Sequence, residues 1–579
     1  MKKVSYIFIF ILKFNSLLAV DYYVDKSTGL DSNSGLTLLS PFKSIQKAAS
    51  TAQAGSTILI KAGTYNENII LNISGTATNP IIFRNYNSDL VYIDGTGTST
   101  LPDTAMIQIN GASHLEFRNL TIRNLLCKDA YGIVVFNNPT SGTTNLKFIN
   151  ISIHDIKWTQ FPTTVPTIND NAHPFLVYGS GSTQASAITN VLVDGCNIYN
   201  NVTGFSENLT HSGNVDGFIV RNNLVHDNSN IGIECEGNYN ASPTPSLDHA
   251  RNGIIKNNKC YNNNSQYSTA AGIYVDGGWD IVVEQNECYN NSYGVEVGCE
   301  ENGTTKNIIV KNNIFYNNRE SGVYLGGYDT ATTGQVLNAT IRNNTFFQNN
   351  SLNTSVGEIE ISKASNCKIE NNVFYANSTK VLYNLNNVAP QSNITFDYNV
   401  YYTPNNNPTD IVIFYLAGGY TNLTSYKSTT GQDVHSLYGN PNFDNATLGT
   451  INLNVIPTSL CINAGNPAAM PQIEFDFLNN ARVVNTIDVG AFENQIFLSN
   501  LEFQTTKIID VYPNPTSGIL NLSGNINYSS VFMINMLGQK YDIQPLANKL
   551  DLTNFSDGIY KLIFLKGDEI LKSFSIIKN

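Results

Sequence analysis

Charged residues are scarce in this chain: Asp, Glu, Lys and Arg make up 13% of its 579 residues, and only 2 residues are Trp. The formal net charge of −12 argues against nucleic acid or an anionic membrane surface as the partner. A local basic patch could still bind an acidic polysaccharide. Polarity comes instead from Asn, Ser, Thr and Gly, and this mixture, with 31 Tyr and 28 Phe, favours β-structure with many turns.

The eight cysteines lack the CxxC spacing of structural zinc sites, and the histidines show no metal-ligand spacing. We therefore assign no metal ligand and no certain cofactor, while Ca²⁺ is left open. Cys260 and Cys288 occupy matching places in NKCYN and NECYN, which predicts buried thiols stacked in neighbouring layers of a repeat. A disulfide is also left open, since exported proteins can form one.

Long apolar runs are absent, so the sequence predicts no transmembrane segment. In the N-terminal MKKVSYIFIFILKFNSLLA, Lys2 and Lys3 precede a short apolar run, and Ala19 offers a small residue for cleavage. This pattern predicts a signal peptide over residues 1–19. We therefore expect a secreted or surface-attached protein, and a monomer.

Internal repetition dominates the middle of the chain. An aliphatic strand that ends in a polar pair recurs as FIVRNN, IIKNNK, IVVEQN, IIVKNN, ATIRNN and CKIENN. A second strand follows each of the first five, as GIECEG, GIYVDGG, GVEVGCE, GVYLGGY and EIEISK. Such a pattern describes stacked coils of parallel strands about 4.8 Å apart, in which each Asn can hydrogen-bond the next coil. The predicted fold is all-β, a right-handed parallel β-helix over residues 20–440.

Two N-terminal features support this architecture. A helix-like patch is suited to capping the first coil, through Ile45, Ala48, Ala49 and Ala52. The opening motifs YYVDKSTGLDSNSG, PFKSIQKA and GSTILIKAGTY resemble those of secreted pectate-lyase-like β-helix proteins. The resemblance implies the fold and leaves the reaction open.

The C-terminal part of the chain differs in character. SLCINAGNP and IDVGAFE, within residues 441–493, resemble a segment that closes such helices, and residues 494–508 are predicted to be a linker. Residues 509–579 resemble the type IX secretion sorting domain of Bacteroidetes, through Tyr512, Pro513, Asn514, Pro515, Gly518, Gly538, Gly558 and Tyr560. This resemblance implies a small β-sandwich, the type IX machinery as partner, and release or surface anchoring.

Strand alternation places carboxylates on one outer face of the coils. If the aliphatic residues of the second strands point inward, the outward residues are Glu234, Glu236, Tyr274, Asp276, Glu296, Gly298, Tyr324, Gly326, Glu360 and Ser362. Asp and Glu are poor strand formers, and stacked like charges repel, so this concentration indicates a site. We expect the glycines to form a shallow floor, flanked by Tyr274, Tyr324 and either Trp279 or Tyr328. Aromatic rings beside carboxylates suit a sugar.

Glycoside hydrolysis requires two carboxyl groups. Asp276 and Glu296 are expected on adjacent coils, offset by two residues, with Cβ atoms roughly 8 Å apart. Crowding by Glu234 and Glu236 would raise one pKa, as a general acid requires. The sequence therefore favours a secreted carbohydrate-active enzyme, a glycoside hydrolase in which Asp276 and Glu296 are catalytic. Besides the tyrosines, Glu234, Glu236 and Glu300 would bind substrate or adjust protonation.

GIYVDGG and GVEVGCE resemble paired strands of β-helical retaining β-xylosidases. This resemblance implies Asp276 as the nucleophile and Glu296 as the acid/base residue. Retention or inversion is left open by the residues themselves.

Other interpretations stay open at this point. A polysaccharide lyase would need a neutraliser for a uronate and a base, for which Lys363, Arg319 and Tyr274 are the candidates. The Asp-Asp Ca²⁺ motifs of β-helical pectate lyases are not visible. A non-catalytic, glycan-binding or adhesin-like β-helix is the third interpretation.

The carboxylate face itself has two simpler interpretations. One is a structural Ca²⁺ site made by Glu234, Glu236 and Asp276. The other is a solvent-facing acidic stripe without function. The long loop from Asn238 to Arg251 is expected to form a wall beside this face, with Asp248, His249 and Arg251 as substrate contacts.

Overall fold

A computed structural model describes residues 19–495 except 328, 330, 387–390 and 470–473, and residues 509–579 except 525–527, 536–538 and 568. The predicted signal peptide, apart from Ala19, and most of the predicted linker lie outside the described residues. The chain divides into two compact units, of which the first extends to Asn494 and the second begins at Gln495.

The first unit is a parallel β-helix built from three sheets of 13 strands each. The first sheet comprises Asp21–Val24, Thr57–Ile60, Ile81–Asn85, Leu115–Arg118, Thr143–Ile149, Ile188–Asp194, Val215–Arg221, Arg251–Lys256, Val282–Glu284, Ile309–Lys311, Thr340–Arg342, Lys368–Glu370 and Thr395–Asp397. Except at the two ends of the β-helix, consecutive strands of one sheet are separated in the chain by one strand of each other large sheet, so each complete coil contributes one strand to every large sheet.

The second sheet carries the predicted site and is called the site sheet. It comprises Ile69–Leu71, Ala105–Asn110, Ala130–Phe136, Ala172–Gly179, Leu209–Gly213, Ile233–Glu236, Ala271–Asp276, Tyr293–Gly298, Val323–Leu325, Ile359–Ile361, Val381–Leu385, Val412–Tyr415 and the antiparallel Gly418–Tyr420.

The third sheet comprises Gly63–Tyr65, Val91–Asp94, Thr121–Leu126, Ser152–Lys157, Asn197–Tyr199, Leu224–His226, Lys259–Tyr261, Glu287–Tyr289, Ile314–Tyr316, Thr345–Phe347, Val373–Tyr375, Val400–Tyr402 and Leu437–Tyr438. Two small sheets accompany the coils, formed by Thr304–Lys306, Gln335–Leu337 and Ala364–Ser365, and by Phe443–Asn445 with Asn452–Val455. The predicted all-β, parallel coil architecture is confirmed.

The inside of the coils is filled by stacked apolar side chains. Cys260 pairs in register with Cys288 in the third sheet, and both are fully buried, as their matching motifs predicted. All eight cysteines are buried free thiols. A single coil could not bury its own apolar side chains. Each coil therefore packs them against those of its neighbours, which makes one continuous core along the β-helix.

Asparagine ladders hold successive coils together at the two turns that flank the third sheet. In one ladder, the side-chain amide of each Asn donates to the side-chain oxygen of the next, through Asn223, Asn258, Asn286, Asn313, Asn344, Asn372 and Asn399. The second runs through Asn201, Asn228, Asn263, Asn291, Asn318 and Asn349, and ends at Glu358. Each Asn also binds backbone groups, so the structural role predicted for the repeated Asn is confirmed.

Helices are few and short. The helix Ile45–Thr51 begins after Ser44, whose hydroxyl accepts a hydrogen bond from the N–H of Lys47, and it buries Ile45, Ala48 and Ala49. The helix Leu423–Thr430 follows the last strands of the site sheet. Single turns of 3-10 helix lie at Gln184–Ser186, Pro245–Leu247 and Pro467–Ala469. Among the described residues, no helix combines the length and apolar character needed to cross a bilayer.

The second unit contains two antiparallel sheets that share one core. One sheet is formed by Asp510–Tyr512, Ile519–Ser523 and Lys549–Asp551, and the other by Ser530–Asn535, Lys540–Ile543, Gly558–Lys566 and Glu569–Lys578. Side chains from both sheets, such as Leu520, Leu550, Met533 and Leu562, pack in a single buried cluster. This arrangement is the predicted small β-sandwich. Gly538 lies outside the described residues.

Candidate active site

The strand register of the site sheet brings the predicted catalytic residues together. Tyr274 pairs with Glu296, and Asp276 pairs with Gly298, so Asp276 and Glu296 lie on neighbouring coils with an offset of two residues. Glu296 also pairs with Tyr324 on its other side. The predicted juxtaposition of the two carboxylates is therefore present.

The face that carries these residues is covered. Asp276 is 0% exposed, Tyr274 1%, Glu234 3% and Glu296 5%. A solvent-facing acidic stripe is therefore excluded. Strand alternation shows which side of a sheet a residue lies on, but loops decide whether that side meets water.

The glycines on this face are close-packing positions, and the expected shallow floor is wrong. A Cβ atom at Gly298 would lie 2.1 Å from the carbonyl oxygen of Gly326 and 2.9 Å from the hydroxyl oxygen of Tyr274. A Cβ at Gly326, where φ is +142°, would lie 1.7 Å from the hydroxyl oxygen of Ser362. Gly298 and Gly326 thus make room for groups of the adjacent coils, and they leave no open surface on which a sugar could lie.

Asp276 is held as a hydrogen-bond acceptor. The hydroxyl of Tyr239 donates to Oδ2 of Asp276 at 2.5 Å, and the backbone N–H of Glu300 donates to Oδ1 at 2.7 Å. Burial raises the pKa of Asp276 well above its usual value, and the nearby Glu300 carboxylate adds to this, while the two donors act in the opposite direction. Two donors therefore favour the ionised form of a carboxyl group in a site that otherwise opposes ionisation.

Glu296 has different surroundings. None of the described residues donates a hydrogen bond to its carboxyl group, and it lies between the aromatic side chains of Tyr274 and Tyr324. Burial raises the pKa of Glu296 well above its usual value, with further contributions from the charges of Glu300, Asp276 and Glu360. Glu296 is accordingly the carboxyl group that retains a proton more readily.

Further carboxylates extend the group, which we call the acidic cluster: Glu207, Glu234, Glu236, Asp276, Glu296 and Glu300. Burial is the largest cause that raises the pKa of every member, and like charges in the cluster raise most of them further. In the part of the chain that the structure describes, no Lys, Arg or His forms an ion pair with the cluster. Glu207 was missed by the sequence analysis because it lies in a loop, outside the strand alternation.

The loop from Asn238 to Arg251 contacts the carboxylate face of the site sheet through Tyr239, which the sequence analysis did not predict. Tyr239, which is 39% exposed, supplies the donor to Asp276. Asp248 instead accepts the N–H groups of Asn240 and Ser242 within its own loop.

His249 and Arg251 have structural partners as well. His249 contacts the carbonyl of Gly277, and Arg251 pairs with Asp216 and donates to Asn214. The prediction that Asp248, His249 and Arg251 contact substrate is thus not supported by their positions, since each is already used to fix the loop.

Most of the aromatic residues expected beside the site already pack against other side chains of the protein. Tyr324 stacks on Tyr293 with ring centroids 5.1 Å apart, and its hydroxyl donates to the carbonyl of Gly327 at 2.9 Å. Trp279 has His249 stacked on its ring at 3.5 Å and the Lys306 ammonium 3.4 Å from its ring centroid, so neither ring face is free for a sugar. Tyr328 lies outside the described residues.

The candidate bases of a lyase differ in position. Arg319 is exposed, and the ammonium of Lys363 donates to the carbonyl of Thr333. The hydroxyl of Tyr274 is buried and has no hydrogen-bond partner among the described residues.

Comparisons with known proteins agree with this architecture. The family described as right handed beta helix region matches residues 244–346, and the secretion system C-terminal sorting domain matches residues 510–578. The uncharacterized protein YwoF of Bacillus subtilis is 32% identical over 434 residues, which are 73% of this chain and 88% of that protein. The chain belongs to the YwoF family.

Other similar proteins match over a shorter segment or at lower sequence identity. The pectate lyase PEL9 of Emericella nidulans is 35% identical over 130 residues, which cover 20% of this chain and 31% of that protein. Among solved structures, the GH136 lacto-N-biosidase of Eubacterium ramulus is similar with a TM-score of 0.44 and 16% identity, over 65% of this chain and 67% of that one. Pectate lyase Pel9A is similar with a TM-score of 0.43 and 15% identity, over 82% and 96% of the two chains.

The sorting-domain match confirms the predicted destination of this member of the YwoF family. The protein is a right-handed parallel β-helix that is secreted or displayed at the cell surface, and its type IX sorting domain implies handling by that secretion machinery. These matches leave the roles of the site residues as predictions.

Proposed function

We propose that the protein is a carbohydrate-active enzyme, a glycoside hydrolase in which Asp276 is the nucleophile and Glu296 is the acid/base residue. The observation that carries the proposal is the unlike environment of two neighbouring carboxyl groups. Asp276 accepts hydrogen bonds from Tyr239 and from the Glu300 N–H, whereas Glu296 accepts none from described residues. Unequal surroundings of this kind separate the roles of two carboxyl groups in glycoside hydrolysis.

In the first step Glu296 gives its proton to the glycosidic oxygen while Asp276 attacks the anomeric carbon, so the bond to the leaving sugar breaks as the bond to Asp276 forms. In the second step Glu296 takes a proton from water, and that water displaces Asp276 from the sugar. Protonated Glu296 suits the first step because burial raises its pKa.

A sugar reaches Asp276 only if a covering side chain moves, because Asp276 is 0% exposed. Tyr239 is the covering group that touches the carboxylate, and it comes from a loop with a partly exposed tip. A substrate hydroxyl that replaced the Tyr239 hydroxyl would keep Asp276 hydrogen-bonded.

A polysaccharide lyase is the second candidate, and the similarity to the pectate lyase PEL9 over 130 residues favours it. Lyase chemistry requires a base near the carbon that loses its proton. Tyr274 is the candidate base on the site sheet, since its hydroxyl is buried and unpartnered among the described residues. Among the residues that the structure describes, no cationic group pairs with the acidic cluster to neutralise a uronate.

The two reactions are separated by product analysis. The purified protein is incubated with neutral and uronate-containing polysaccharides and oligosaccharides, and products are followed by mass spectrometry and ultraviolet absorbance. A hydrolase adds one water per cleaved bond, and its early anomeric configuration, read by NMR, reports retention for a nucleophilic Asp276. Unsaturated, ultraviolet-absorbing products would instead establish the lyase.

Variants then test the residues. Asp276→Asn and Glu296→Gln are each expected to lower turnover at least about 10²-fold, while glycan binding is kept. Asp280→Asn is the matched control, because Asp280 belongs to the same coil and is exposed. Wild-type turnover in both site variants would exclude this pair as catalytic groups.

A further inference from the structure

We propose that Glu207, Glu234 and Glu236 form a binding site for a divalent cation of the Ca²⁺ type, and that Asp276 and Glu296 are not among its ligands. One carboxylate oxygen from each of the three residues lies within 4.8 Å of the other two. Oxygen ligands of Ca²⁺ lie about 2.3–2.6 Å from the ion, so two of them are separated by up to about 5 Å. The three carboxylates therefore have the spacing of a shared ion.

Two buried oxygen atoms without hydrogen-bond partners lie on the face of the site sheet that carries these carboxylates. Oε2 of Glu234 and the hydroxyl oxygen of Thr210 are both buried and have no hydrogen-bond partner among the described residues. Thr210 pairs in register with Glu234, so the two side chains share one face of the site sheet. Thr210 is 1% exposed and Glu234 is 3% exposed. Buried polar atoms normally have a partner, and a cation would supply one to both.

When the three carboxyl groups are ionised, their negative charge requires compensation. No basic side chain in the described ranges pairs with them, and the Ser212 hydroxyl that contacts Glu236 carries no charge. Ionised carboxylates that are buried without a counter-charge destabilise the folded protein strongly. A divalent cation would neutralise two of the three negative charges and leave the carboxylates ionised.

The chemistry of the donors selects the ion. Every candidate ligand is an oxygen atom of a carboxylate or a hydroxyl, and the group includes neither a His nitrogen nor a Cys sulfur. Oxygen-only sites suit hard cations such as Ca²⁺, whereas zinc prefers nitrogen and sulfur. Flexible coordination by spaced carboxylates favours Ca²⁺ over the smaller Mg²⁺.

The backbone holds all three residues in place. Glu234 and Glu236 alternate onto one face of the strand Ile233–Glu236. Glu207 lies in a loop that is fixed on both sides, since the amide of Asn230 donates to the carbonyl of Ser206 at 3.1 Å. The side chain of Asn208 also donates to the carbonyl of Ile231 at 2.8 Å. A site that exists before the ion arrives loses little conformational entropy on binding.

The experiment measures Ca²⁺ binding without any measurement of activity. The full chain is treated with EDTA, desalted, and titrated with CaCl₂ or MgCl₂ in a calorimeter, and its thermal unfolding midpoint is followed in parallel. We expect Ca²⁺ to raise the midpoint at concentrations well above its Kd, because an ion that binds only the folded state stabilises it. We expect Mg²⁺ to bind at least about tenfold more weakly.

Substitutions locate the site. Glu207→Gln and Glu234→Gln are each expected to weaken Ca²⁺ binding at least about tenfold, since each removes a charged ligand. Glu301→Gln is the matched control: it removes one negative charge from an exposed position and should leave the affinity unchanged.

Three results would overturn the proposal. One is a wild-type protein whose unfolding midpoint responds to pH but not to Ca²⁺, because the three carboxylates would then share protons. Another is equal Ca²⁺ affinity in Glu207→Gln and wild type. The third is Ca²⁺ binding that Glu301→Gln weakens as much as Glu234→Gln. Wild-type titration alone decides the first, even if a variant fails to fold. Asp276→Asn that binds Ca²⁺ normally but lacks turnover would separate this site from the proposed catalytic pair.

Discussion

The hydroxyl of Tyr239 lies 2.5 Å from Oδ2 of Asp276, although the two residues are 37 positions apart in the chain. Tyr239 belongs to the loop that follows one strand of the site sheet, and Asp276 ends the next strand of that sheet. The contact therefore connects a partly exposed loop to the most deeply buried carboxylate of the candidate site. The protonation of Asp276 should therefore depend on Tyr239.

Replacing Tyr239 by Phe is expected to raise the pKa of Asp276, because the substitution removes a donor that stabilises the ionised carboxylate. A nucleophilic Asp276 must be ionised, so the acidic limb of the pH–rate profile should move to higher pH. Turnover should fall most at low pH and recover as the pH rises. The measurement is kcat/KM against pH for the substrate found in the glycan screen.

Tyr267→Phe serves as the control for this prediction. Tyr267 is another half-buried loop tyrosine, and its hydroxyl donates to the carbonyl of Gly204 at 2.9 Å. An acidic limb that stays in place in Tyr239→Phe, or that moves equally in Tyr267→Phe, would contradict the role assigned to Tyr239.

Gly298→Ala is expected to destabilise the protein by about 1–3 kcal/mol, the usual cost of overpacking. The added methyl would collide with the carbonyl oxygen of Gly326, which is backbone and cannot rotate away, and would press on the hydroxyl of Tyr274. Chemical denaturation measures the loss. Gly419→Ala should have little effect, because its added methyl would meet nothing closer than 3.9 Å, and equal stability of both variants would contradict the packing argument.

Asn286→Ala removes one member of an asparagine ladder and should be strongly destabilising. The N–H and the side-chain amide of Asn258 both donate to Oδ1 of Asn286, at 2.8 and 3.0 Å, and all three groups are buried. Donors left unsatisfied in the interior cost about 1–3 kcal/mol each. The thermal unfolding midpoint is compared with that of Asn452→Ala, an exposed position, which should resemble wild type. A midpoint that Asn286→Ala leaves unchanged would show that the ladders do not hold the coils together.

Glu358 is expected to make stability fall as the pH rises from about 4.5 to about 8. Burial raises the pKa of Glu358 to about 8 from 4.5, while hydrogen bonds from Asn349 act in the opposite direction. The unfolded chain therefore releases this proton at lower pH than the folded chain does. The contribution of Glu358 to stability is complete below pH 4.5 and is lost as the pH rises through about 8, at about 1.4 kcal/mol per pKa unit.

Glu358→Gln tests this dependence, because Gln can accept the same hydrogen bonds without titrating. The variant should gain stability relative to wild type as the pH is raised from 5 to about 9, measured by thermal unfolding at several pH values. Glu301→Gln, at an exposed position, should not change the pH dependence. A constant difference between Glu358→Gln and wild type across this range would show that Glu358 does not titrate as described.

The sequence was sufficient for the parts of the site that follow from strand periodicity. Alternation and repeat alignment placed Asp276 and Glu296 on neighbouring coils with the correct offset, because side chains of a strand alternate strictly and coils of a β-helix stay in register. The same reasoning failed for Gly298, which was expected to leave an open floor. Whether a glycine leaves space or receives a neighbour depends on the conformation of the adjacent coil, which alternation does not specify.

Residues in loops could not be placed in this way. Tyr239 contacts the acidic cluster and Glu207 belongs to it, but no periodic pattern relates a loop side chain to a face of the sheet. The predicted loop residue Arg251 was instead paired with Asp216, because a buried guanidinium requires a carboxylate wherever one is in reach. A signal for Tyr239 could have come only from its position in the loop that joins two coils beside the carboxylates.

The asparagine ladders also bear on how such a chain changes length. Every internal Asn donates forward to one neighbour and accepts from the one behind, so all internal joints are chemically equivalent, and successive members are 27 to 35 residues apart. A duplicated coil inserted at any of these joints would find a donor on one side and an acceptor on the other. Only the terminal acceptors differ, since Glu358 ends one ladder and Asp433 accepts from Asn399 at the end of the other. Growth by duplication therefore requires no new interior contacts and leaves a specialised acceptor at one end of each ladder.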